Sequence, residues 1–157
     1  MAGPDSPPDA ADESRTEVLD PSACHVLLAT RTIGRLGFDS DGYPTILPVN
    51  YAVVEQSIVI RSGPGGKLAA VRDAHVTFEV DDHDARTKTG WSVLVRAQAQ
   101  VLDDAEEIAR LEALELAADP WDGGPHDHWI RLTLHSVTGR RVQGHVPPFD
   151  PTPGAYL

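Results

Sequence analysis

The sequence has one cysteine, few basic residues and no long hydrophobic run, and each of these deficits argues against a class of protein. It contains one cysteine, Cys24, so an internal disulfide is excluded, and a lone thiol is typical of a reducing compartment. No hydrophobic run approaches the roughly 20 residues that cross a bilayer. There are 13 basic residues against 24 acidic ones, and the formal net charge of -11 argues against binding to a nucleic-acid backbone. We therefore expect a cytoplasmic protein with no nucleic-acid or membrane partner.

The 157 residues fit one folded domain between two tails. Residues 1–17 are rich in Pro, Asp, Ala and Ser and lack a basic start or an apolar centre, so we expect a disordered N-terminal tail and no signal peptide. Residues 144–157 contain four prolines and two glycines, which predicts an extended C-terminal tail. The domain is therefore expected to span residues 18–143.

Short strands and tight turns dominate the region between the tails. The segment 90–102 alternates apolar and polar residues, which is typical of a strand with one buried face. Asp20 is a candidate N-cap with Pro21 at the first helical position, and Asp103 with Glu106 forms a capping-box pattern. The pattern predicts a mainly β fold with peripheral helices and six to seven antiparallel strands in a barrel. We expect strands within 33–38, 43–54 (bent or bulged at Pro48), 58–62, 75–81, 90–102 and 127–142, and helices within 19–30, 67–73 and 103–116.

The stretch IRSGPGGKLAAV, residues 60–71, is a candidate anion site. It predicts a strand that ends at Arg61 and Ser62, a glycine turn, and a helix that begins at Lys67. The free N–H groups and the dipole of a helix N-terminus favour an anion, and the two cations could flank a phosphate. A plain glycine turn with two solvated cations is the alternative. The glycine spacing matches neither a Walker loop nor GxGxxG.

Two further stretches place polar or aromatic groups at strand positions where a planar ligand could bind. In LPVNY, Pro48 and Val49 precede Asn50, whose amide offers both a donor and an acceptor to a heterocycle; alternatively it completes the strand's own hydrogen bonds. In TGWSV, Trp91 opens a strand and could pack on a ligand ring, on a second subunit or in the core.

The order of these motifs, PVNY, RSGPGGK, EVDD, TGWSVLVRA and VTGRR, resembles the pyridoxamine 5'-phosphate oxidase-like family in its small actinobacterial-type branch. The resemblance runs from about Leu19 to Val142. It implies a split β-barrel, a homodimer, and FMN bound in a groove between the two subunits. The implied function is an FMN-dependent oxidoreductase, with hydride transfer through flavin N5 to or from an unidentified small-molecule substrate.

The resemblance also assigns residues to the implied FMN site. Arg61, Ser62 and Lys67 would hold the phosphate, and Pro48, Val49 and Asn50 would line the isoalloxazine ring. The set Trp91, Ser92 and Val93 would complete the pocket from the second subunit. Trp129 and Arg131 are weaker candidates for the same groove, and no general acid or base is assigned.

Three alternatives stay open. The founding enzyme of the family ends in a basic, His-containing motif, whereas no arginine follows Arg141 here, so oxidation of pyridoxamine phosphate is not expected. A deazaflavin could replace FMN. A non-enzymatic flavin or haem carrier or sensor is the second alternative, with iron ligands among His25, His75 and His135. The third is a barrel that binds no cofactor and serves in contacts with other proteins. The pair His126 and His128 and the acidic segment 81–84 have metal-ligand composition, but a solvated loop and an acidic turn explain them better, so no metal site is expected.

Overall fold

The computed structural model describes residues 16–116, 118–119 and 124–144. Within these residues the chain forms eight strands and three helices. The strands are β1 (Thr16–Leu19), β2 (Ile33–Ser40), β3 (Tyr43–Asn50), β4 (Ala52–Val54), β5 (Ser57–Ser62), β6 (His75–Asp84), β7 (Thr89–Val101) and β8 (His128–Val142). The helices are α1 (Pro21–Leu28), α2 (Gly66–Val71) and α3 (Ala105–Ala113).

The strands form one antiparallel sheet in the order β3-β2-β6-β7-β8-β5-β4, and β1 pairs with the far end of β8. Strands β3 and β4 stand at the two ends of this order, yet only Tyr51 separates them in the sequence. One bent segment therefore connects the two ends and curls the sheet into the split barrel that the sequence predicted. The number of strands was underestimated, because β1 was missed and the strand expected over 43–54 is divided at Tyr51.

The break in that segment lies at Tyr51 and not at Pro48. Pro48 pairs in regular register with Arg35, and β3 is a terminal strand, where a residue without an N–H is tolerated. Tyr51 donates its backbone N–H to the carbonyl of Thr32 at 2.9 Å and its hydroxyl to the carbonyl of Leu28. These two bonds hold the bend, because they replace the ladder that ends at Asn50.

The inner face of the sheet carries the core. Along β7 the inward residues Val93, Val95, Ala97 and Ala99 are buried, as the alternation predicted. Each buried valine of this kind contributes about 1.5–3 kcal/mol relative to an exposed one. We call the opposite side of the sheet the outer face. Helix α3 covers the outer face of β5 and β8 with a second apolar cluster around Trp129, whereas the described residues leave the outer face of β3, β2, β6 and β7 uncovered.

Helix capping confirms one prediction and corrects another. The carboxylate of Asp20 accepts the N–H of Ala23 at 2.8 Å and caps α1. Helix α3 is capped by Asp104, which accepts the N–H of Glu107 at 2.8 Å, and not by Asp103. Asp103 instead contacts Arg72 at 3.5 Å. The N-cap was therefore placed one residue too early, and the Glu107 carboxylate pairs with Arg131 and does not complete a capping box.

The tails lie mostly outside the described residues. Thr16 and Glu17, which were assigned to the disordered tail, pair with Val142 and Arg141 as part of β1. Three of the four residues of β1 are exposed, so the strand has no apolar alternation that would predict it. Residues 1–15 and 145–157 are outside the description. No helix in the described part of the chain is long and apolar enough to cross a membrane.

Candidate functional site

The end of β3 presents one buried polar atom without a partner. Pro48 is exposed and Asn50 half-buried on the outer face, while the side chain of Val49 is 6% exposed and belongs to the core. The Asn50 Nδ2 atom is buried, and no described residue accepts a hydrogen bond from it. An unsatisfied buried amide costs free energy, so this donor is suited to an acceptor supplied by a ligand. Val49 can line such a site only through its backbone.

The end of β5 presents Arg61 and Ser62 to opposite faces of the sheet. Arg61 lies on the outer face, with its guanidinium 5.1 Å from the centroid of the Trp129 ring. Its Nε donates to the carbonyl of His126 at 3.2 Å and its Nη1 contacts Asp119 at 2.7 Å. Ser62 is 2% exposed and donates its hydroxyl to the carbonyl of Gly63. Strand alternation thus separates two side chains that were assigned to one phosphate.

The glycine turn between β5 and α2 is tightly packed on one side and open on the other. A Cβ on Gly63 would come within 2.8 Å of the carbonyl oxygen of Pro125, so only glycine fits there. Gly65 has φ of 144° and offers α2 no side-chain cap, and a Cβ on Gly66 would meet open space. Helix α2 has six residues, so its dipole contributes little, and the half-buried Lys67 in its first turn is the main positive charge of the turn.

The bent segment brings these two strand ends together. In the β4–β5 hairpin, Ala52 pairs with Val59 and Val54 with Ser57. Beyond this hairpin, the end of β3 contacts β5, so Asn50 at the end of β3 and Arg61 near the end of β5 lie on two contacting strands. The predicted ring-binding and phosphate-binding residues are therefore carried by strands that meet within one chain, although ten residues of sequence separate Asn50 from Arg61.

The third predicted group of site residues, at the start of β7, lies far from Asn50 and Arg61 within one chain. Strands β2 and β6 stand between β3 and β7, so Trp91 is remote from Asn50 across the sheet. Ser92 is exposed on the outer face, and Val93 is fully buried in the core, where its side chain cannot contact a ligand. One chain therefore does not bring Trp91, Ser92 and Val93 together with Arg61.

Arg31 is a residue of this region that sequence reasoning missed. Its guanidinium lies 5.7 Å from the centroid of the Trp91 ring and forms an ion pair with Asp82. The hydrogen bond from Arg31 is the main cause of the lowered pKa of the Asp82 carboxyl. No local pattern links Arg31 to Trp91, because their contact depends on the α1–β2 loop reaching the end of β7. The loop orients the Trp91 ring through this contact.

The weaker candidates Trp129 and Arg131 lie on the outer face of β8, beside Arg61. The Trp129 Nε1 and the Arg131 Nε are buried without an acceptor among the described residues. Arg131 is also ion-paired with Glu107 of α3. This cluster positions Arg61, since Trp129 is its register partner and its stacking surface.

The histidine and acidic candidates fall in different places. His25 lies on α1, where its Nδ1 is 2.7 Å from the carbonyl of Pro21, while the rings of His75 and His135 are 5.9 Å apart on the outer face. In the acidic segment 81–84, Asp81 and Asp82 are ion-paired with arginines. Within the residues that the structure describes, no three His, Cys, Asp or Glu side chains are placed to share a metal ion.

Comparison with known proteins finds one matching family and several similar proteins, two of them with solved structures. A family model described as pyridoxamine 5'-phosphate oxidase matches residues 20–141. An uncharacterized protein of Mycobacterium tuberculosis is 35% identical over 141 residues, which cover 85% of this chain and 91% of that protein. The FAD binding protein from Mycobacterium smegmatis is 33% identical, with a TM-score of 0.67 over 80% of this chain and 98% of that one. A FAD-binding protein from Mesorhizobium loti is 26% identical, with a TM-score of 0.70 over 82% and 99% of the two chains.

Proposed function

Because the chain belongs to the pyridoxamine 5'-phosphate oxidase family, we propose that it is a homodimeric flavoprotein that binds FMN and acts as an oxidoreductase on a small molecule. The observation that carries the proposal is the unsatisfied buried amide Asn50 Nδ2 at the end of β3, with the cation Arg61 on the contacting strand β5. A flavin has the matching chemistry, with hydrogen-bond acceptors on the ring and a phosphate at the other end.

The phosphate half of the proposed site rests on Arg61 and Lys67. Arg61 is held in one orientation by Trp129 and by the carbonyl of His126. Its partner Asp119 is 70% exposed, so a phosphate can replace that carboxylate at small cost. Ser62 faces the barrel interior, so we assign it a structural part in shaping the turn and expect its backbone to line the site.

The part of the proposed site that would bind the isoalloxazine ring consists of Pro48, the backbone of Val49, and Asn50. Pro48 is exposed on the outer face of β3, where its flat ring could contact the flavin, and Asn50 supplies the donor that a ring acceptor would satisfy. When bound, a flavin supplies hydride transfer at its N5 atom. The protein contributes orientation and a hydrogen bond that tunes the ring.

A second subunit would supply Trp91, Ser92 and the backbone of Val93. This part of the proposal is supported by their distance from Arg61 in one chain and by exposed apolar side chains on the uncovered outer face, such as Ile46 at 68% and Leu94 at 42%. In a two-fold dimer each site takes residues from both copies, so a monomer has no complete site.

FAD is a second candidate for the cofactor. The relatives from Mycobacterium smegmatis and Mesorhizobium loti are FAD-binding proteins, and they cover at least 80% of this chain. FAD contains the whole of FMN, so the residues above would hold the same half of either molecule. Oxidation of pyridoxamine phosphate itself is not part of the proposal, because the family name does not determine the substrate.

The absorbance spectrum of the purified protein tests the proposal. Two flavin bands support it, and chromatography of the released cofactor separates FMN from FAD. A single band at about 420 nm would indicate a deazaflavin and a sharp Soret band would indicate haem, by the chromophore of each cofactor. A protein that stays colourless after incubation with FMN or FAD and removal of the excess contradicts the proposal.

Anaerobic reduction separates an enzyme from a carrier. We expect NADH or NADPH to bleach the bound flavin and an added electron acceptor to restore its colour. If dithionite bleaches the flavin but neither nicotinamide nor any other small reductant does, the protein binds flavin without being the proposed oxidoreductase.

A further inference from the structure

One row of register partners crosses the middle of the uncovered outer face. It runs over four adjacent strands and consists of Pro48, Arg35, Glu79 and Leu94. We call it the Arg35 row. It begins on β3, the strand of Asn50, and ends on β7, the strand of Ser92. Asn50 and Ser92 each lie two residues beyond the row, toward the same end of the sheet. The row therefore links the two halves of the proposed flavin site.

The two central residues of the row are ion-paired within one chain. The Nε of Arg35 donates to a Glu79 carboxylate oxygen at 2.8 Å, and Arg35 is also ion-paired with Asp81. One cation thus serves two carboxylates, and no described residue accepts a hydrogen bond from the Arg35 Nη1. Burial and the charge of Asp81 raise the pKa of the Glu79 carboxyl, although Arg35 opposes them. Glu79 is therefore suited to a second cation, and Arg35 has a donor to spare.

The proposed shared site determines how a second copy would lie on this row. It brings Asn50 of one copy and Ser92 of the other to the same flavin, and a two-fold axis repeats this contact at the second flavin. A rotation that exchanges the β3 end of the row with its β7 end reverses the order of the row. The second residue of one copy then faces the third residue of the other. Arg35 of each copy therefore faces Glu79 of the other.

The curvature of the sheet agrees with this arrangement. The outer face is convex, because the sheet curls around the core on its inner face. Two convex faces touch at their middle, on β2 and β6, and diverge toward β3 and β7. The two gaps that result lie at the strands that carry Asn50 and Ser92, where the flavin is proposed to bind.

The neighbouring row is reversed by the same rotation. It consists of Ile46, Gly37, Thr77 and Arg96. Its first residue then faces the fourth residue of the other copy, so the aliphatic stem of Arg96 covers the exposed Ile46. The arrangement thus buries an apolar side chain that one chain leaves in water.

We propose that the two-fold axis of the homodimer passes between β2 and β6, parallel to the strands, and that Arg35 and Glu79 form reciprocal ion pairs across it. This inference rests on the proposed shared flavin site and specifies the surface that a second copy of this chain covers. The spare Nη1 donor of each Arg35 bonds the Glu79 carboxylate of the other copy. Such pairs determine the register of the two copies more than their affinity, because desolvation offsets much of the attraction.

Complementary charge reversals test the contact between chains. Arg35→Glu and Glu79→Arg each place like charges at both contacts of their own homodimer, whereas a mixed dimer has two contacts of opposite charge. Within each chain the reversed residue meets a like charge in every dimer, so a preference for mixed dimers reports only the contact between chains. The two full-length chains are co-expressed, and their dimers are counted by native mass spectrometry. We expect at least about four fifths of the dimers to be mixed, against about half for random association.

The matched control is the ion pair of Arg72 and Asp103, which lies outside both rows. Arg72→Glu and Asp103→Arg should associate at random. Circular dichroism verifies that each variant is folded. A random share of mixed dimers in the Arg35→Glu and Glu79→Arg mixture overturns the proposal, and so does a wild-type dissociation constant in either variant alone.

Cross-linking tests the position of the axis without reversing charges. With strands about 4.8 Å apart, Glu79 lies one strand spacing along the sheet from its own copy, whereas Arg140 on β8 lies five spacings, about 24 Å, from its own. A short bismaleimide should therefore link Glu79→Cys to itself and leave Arg140→Cys unlinked; the native Cys24 is buried and does not compete. No link in Glu79→Cys, or an equal link in both variants, overturns the proposal.

The flavin content and mass of the wild type are measured in the same preparations. A wild-type dimer that holds flavin but fails these tests overturns the position of the axis alone. A wild type that is monomeric or does not bind flavin contradicts the proposed function, and the inference with it.

Discussion

The guanidinium of Arg61 lies over the indole ring of Trp129, 5.1 Å from its centroid, and the two residues are register partners on β5 and β8. The Arg61 side chain is 26% exposed and contacts Asp119 at 2.7 Å. Its orientation is therefore fixed before any ligand arrives, which lowers the entropy lost on binding a phosphate. In the proposed complex, the phosphate would replace the exposed carboxylate of Asp119 on Arg61.

Arg61→Gln and Asp119→Asn should change flavin affinity in opposite directions. The first removes a charge-assisted bond to the phosphate and should weaken binding by about 1.5–3 kcal/mol. The second removes a competing carboxylate and should tighten binding by roughly twofold. Flavin fluorescence titration measures both. Arg86→Gln, in the turn after β6, is the control and should leave affinity unchanged. Weaker binding in Asp119→Asn would contradict this account of Arg61.

The substitution Asn50→Leu should raise the stability of the flavin-free protein and lower its affinity for flavin. Asn50 is the one asparagine of the sequence, and its Nδ2 is buried without an acceptor among the described residues. Replacing the amide with an apolar side chain of similar size should stabilise the flavin-free protein by about 1 kcal/mol. Flavin affinity should fall about tenfold, because the ring loses a donor. Urea unfolding and flavin titration measure the two effects, with Gln56→Leu in the exposed β4–β5 turn as the control. A less stable apoprotein with unchanged affinity would show that Asn50 serves the fold alone.

Mixed dimers test whether the site is shared between subunits. Arg61→Gln and Trp91→Ala should each damage both sites of their own homodimer. Co-expression of the two variants should restore about a quarter of the wild-type flavin sites, since half of the dimers are mixed and each has one intact site. Pairing Arg61→Gln with Lys67→Ala is the control and should restore none, because both residues act in the same chain. Equal recovery in the two mixtures, or none in either, argues against a shared site.

The Tyr51→Phe variant should lose less stability than the wild type as the pH rises above 10. Burial raises the pKa of Tyr51 to about 12, with a smaller opposing effect from the charge of Arg31. Between pH 10 and 12 the unfolded chain gives up the phenol proton while the folded chain keeps it, so stability falls as pH rises. The wild type should lose roughly 2 kcal/mol more than Tyr51→Phe over this range. At pH 7 the variant should be less stable by about 1 kcal/mol, because it lacks the bond to the Leu28 carbonyl.

The control for that prediction is Tyr43→Phe. Tyr43 is 75% exposed, so its removal should leave the alkaline slope as steep as in the wild type. Urea unfolding at pH 7, 10 and 12 measures all three proteins. If Tyr51→Phe loses stability as steeply as the wild type, the hydroxyl of Tyr51 is not the group responsible.

The sequence by itself determined the features that depend only on residues close together in the chain, such as strand alternation and helix capping. The alternation on β7 and the Asp20 cap of α1 follow from local spacing, and such patterns predicted a mainly β barrel with peripheral helices. The split form of the barrel was predicted from the order of the motifs, through the resemblance to a known family. The N-cap of α3 was assigned to the wrong residue, because Asp103 and Asp104 are adjacent and either side chain could cap the helix. Which of them does so depends on the residue at which the helix begins. It also missed β1, whose mostly exposed residues carry no periodic signal.

Only the tertiary structure decided which of the predicted residues meet. The bend at Tyr51 brings the end of β3, which carries Asn50, against β5, which carries Arg61, and the strand order keeps Trp91 apart from both within one chain. The bulge in β8 places His135 and Ser136 on one face and brings the His135 ring to 5.9 Å from the ring of His75. These relationships depend on strand order, register and one extra residue in a ladder. They are properties of pairings between distant segments, which no local periodicity encodes.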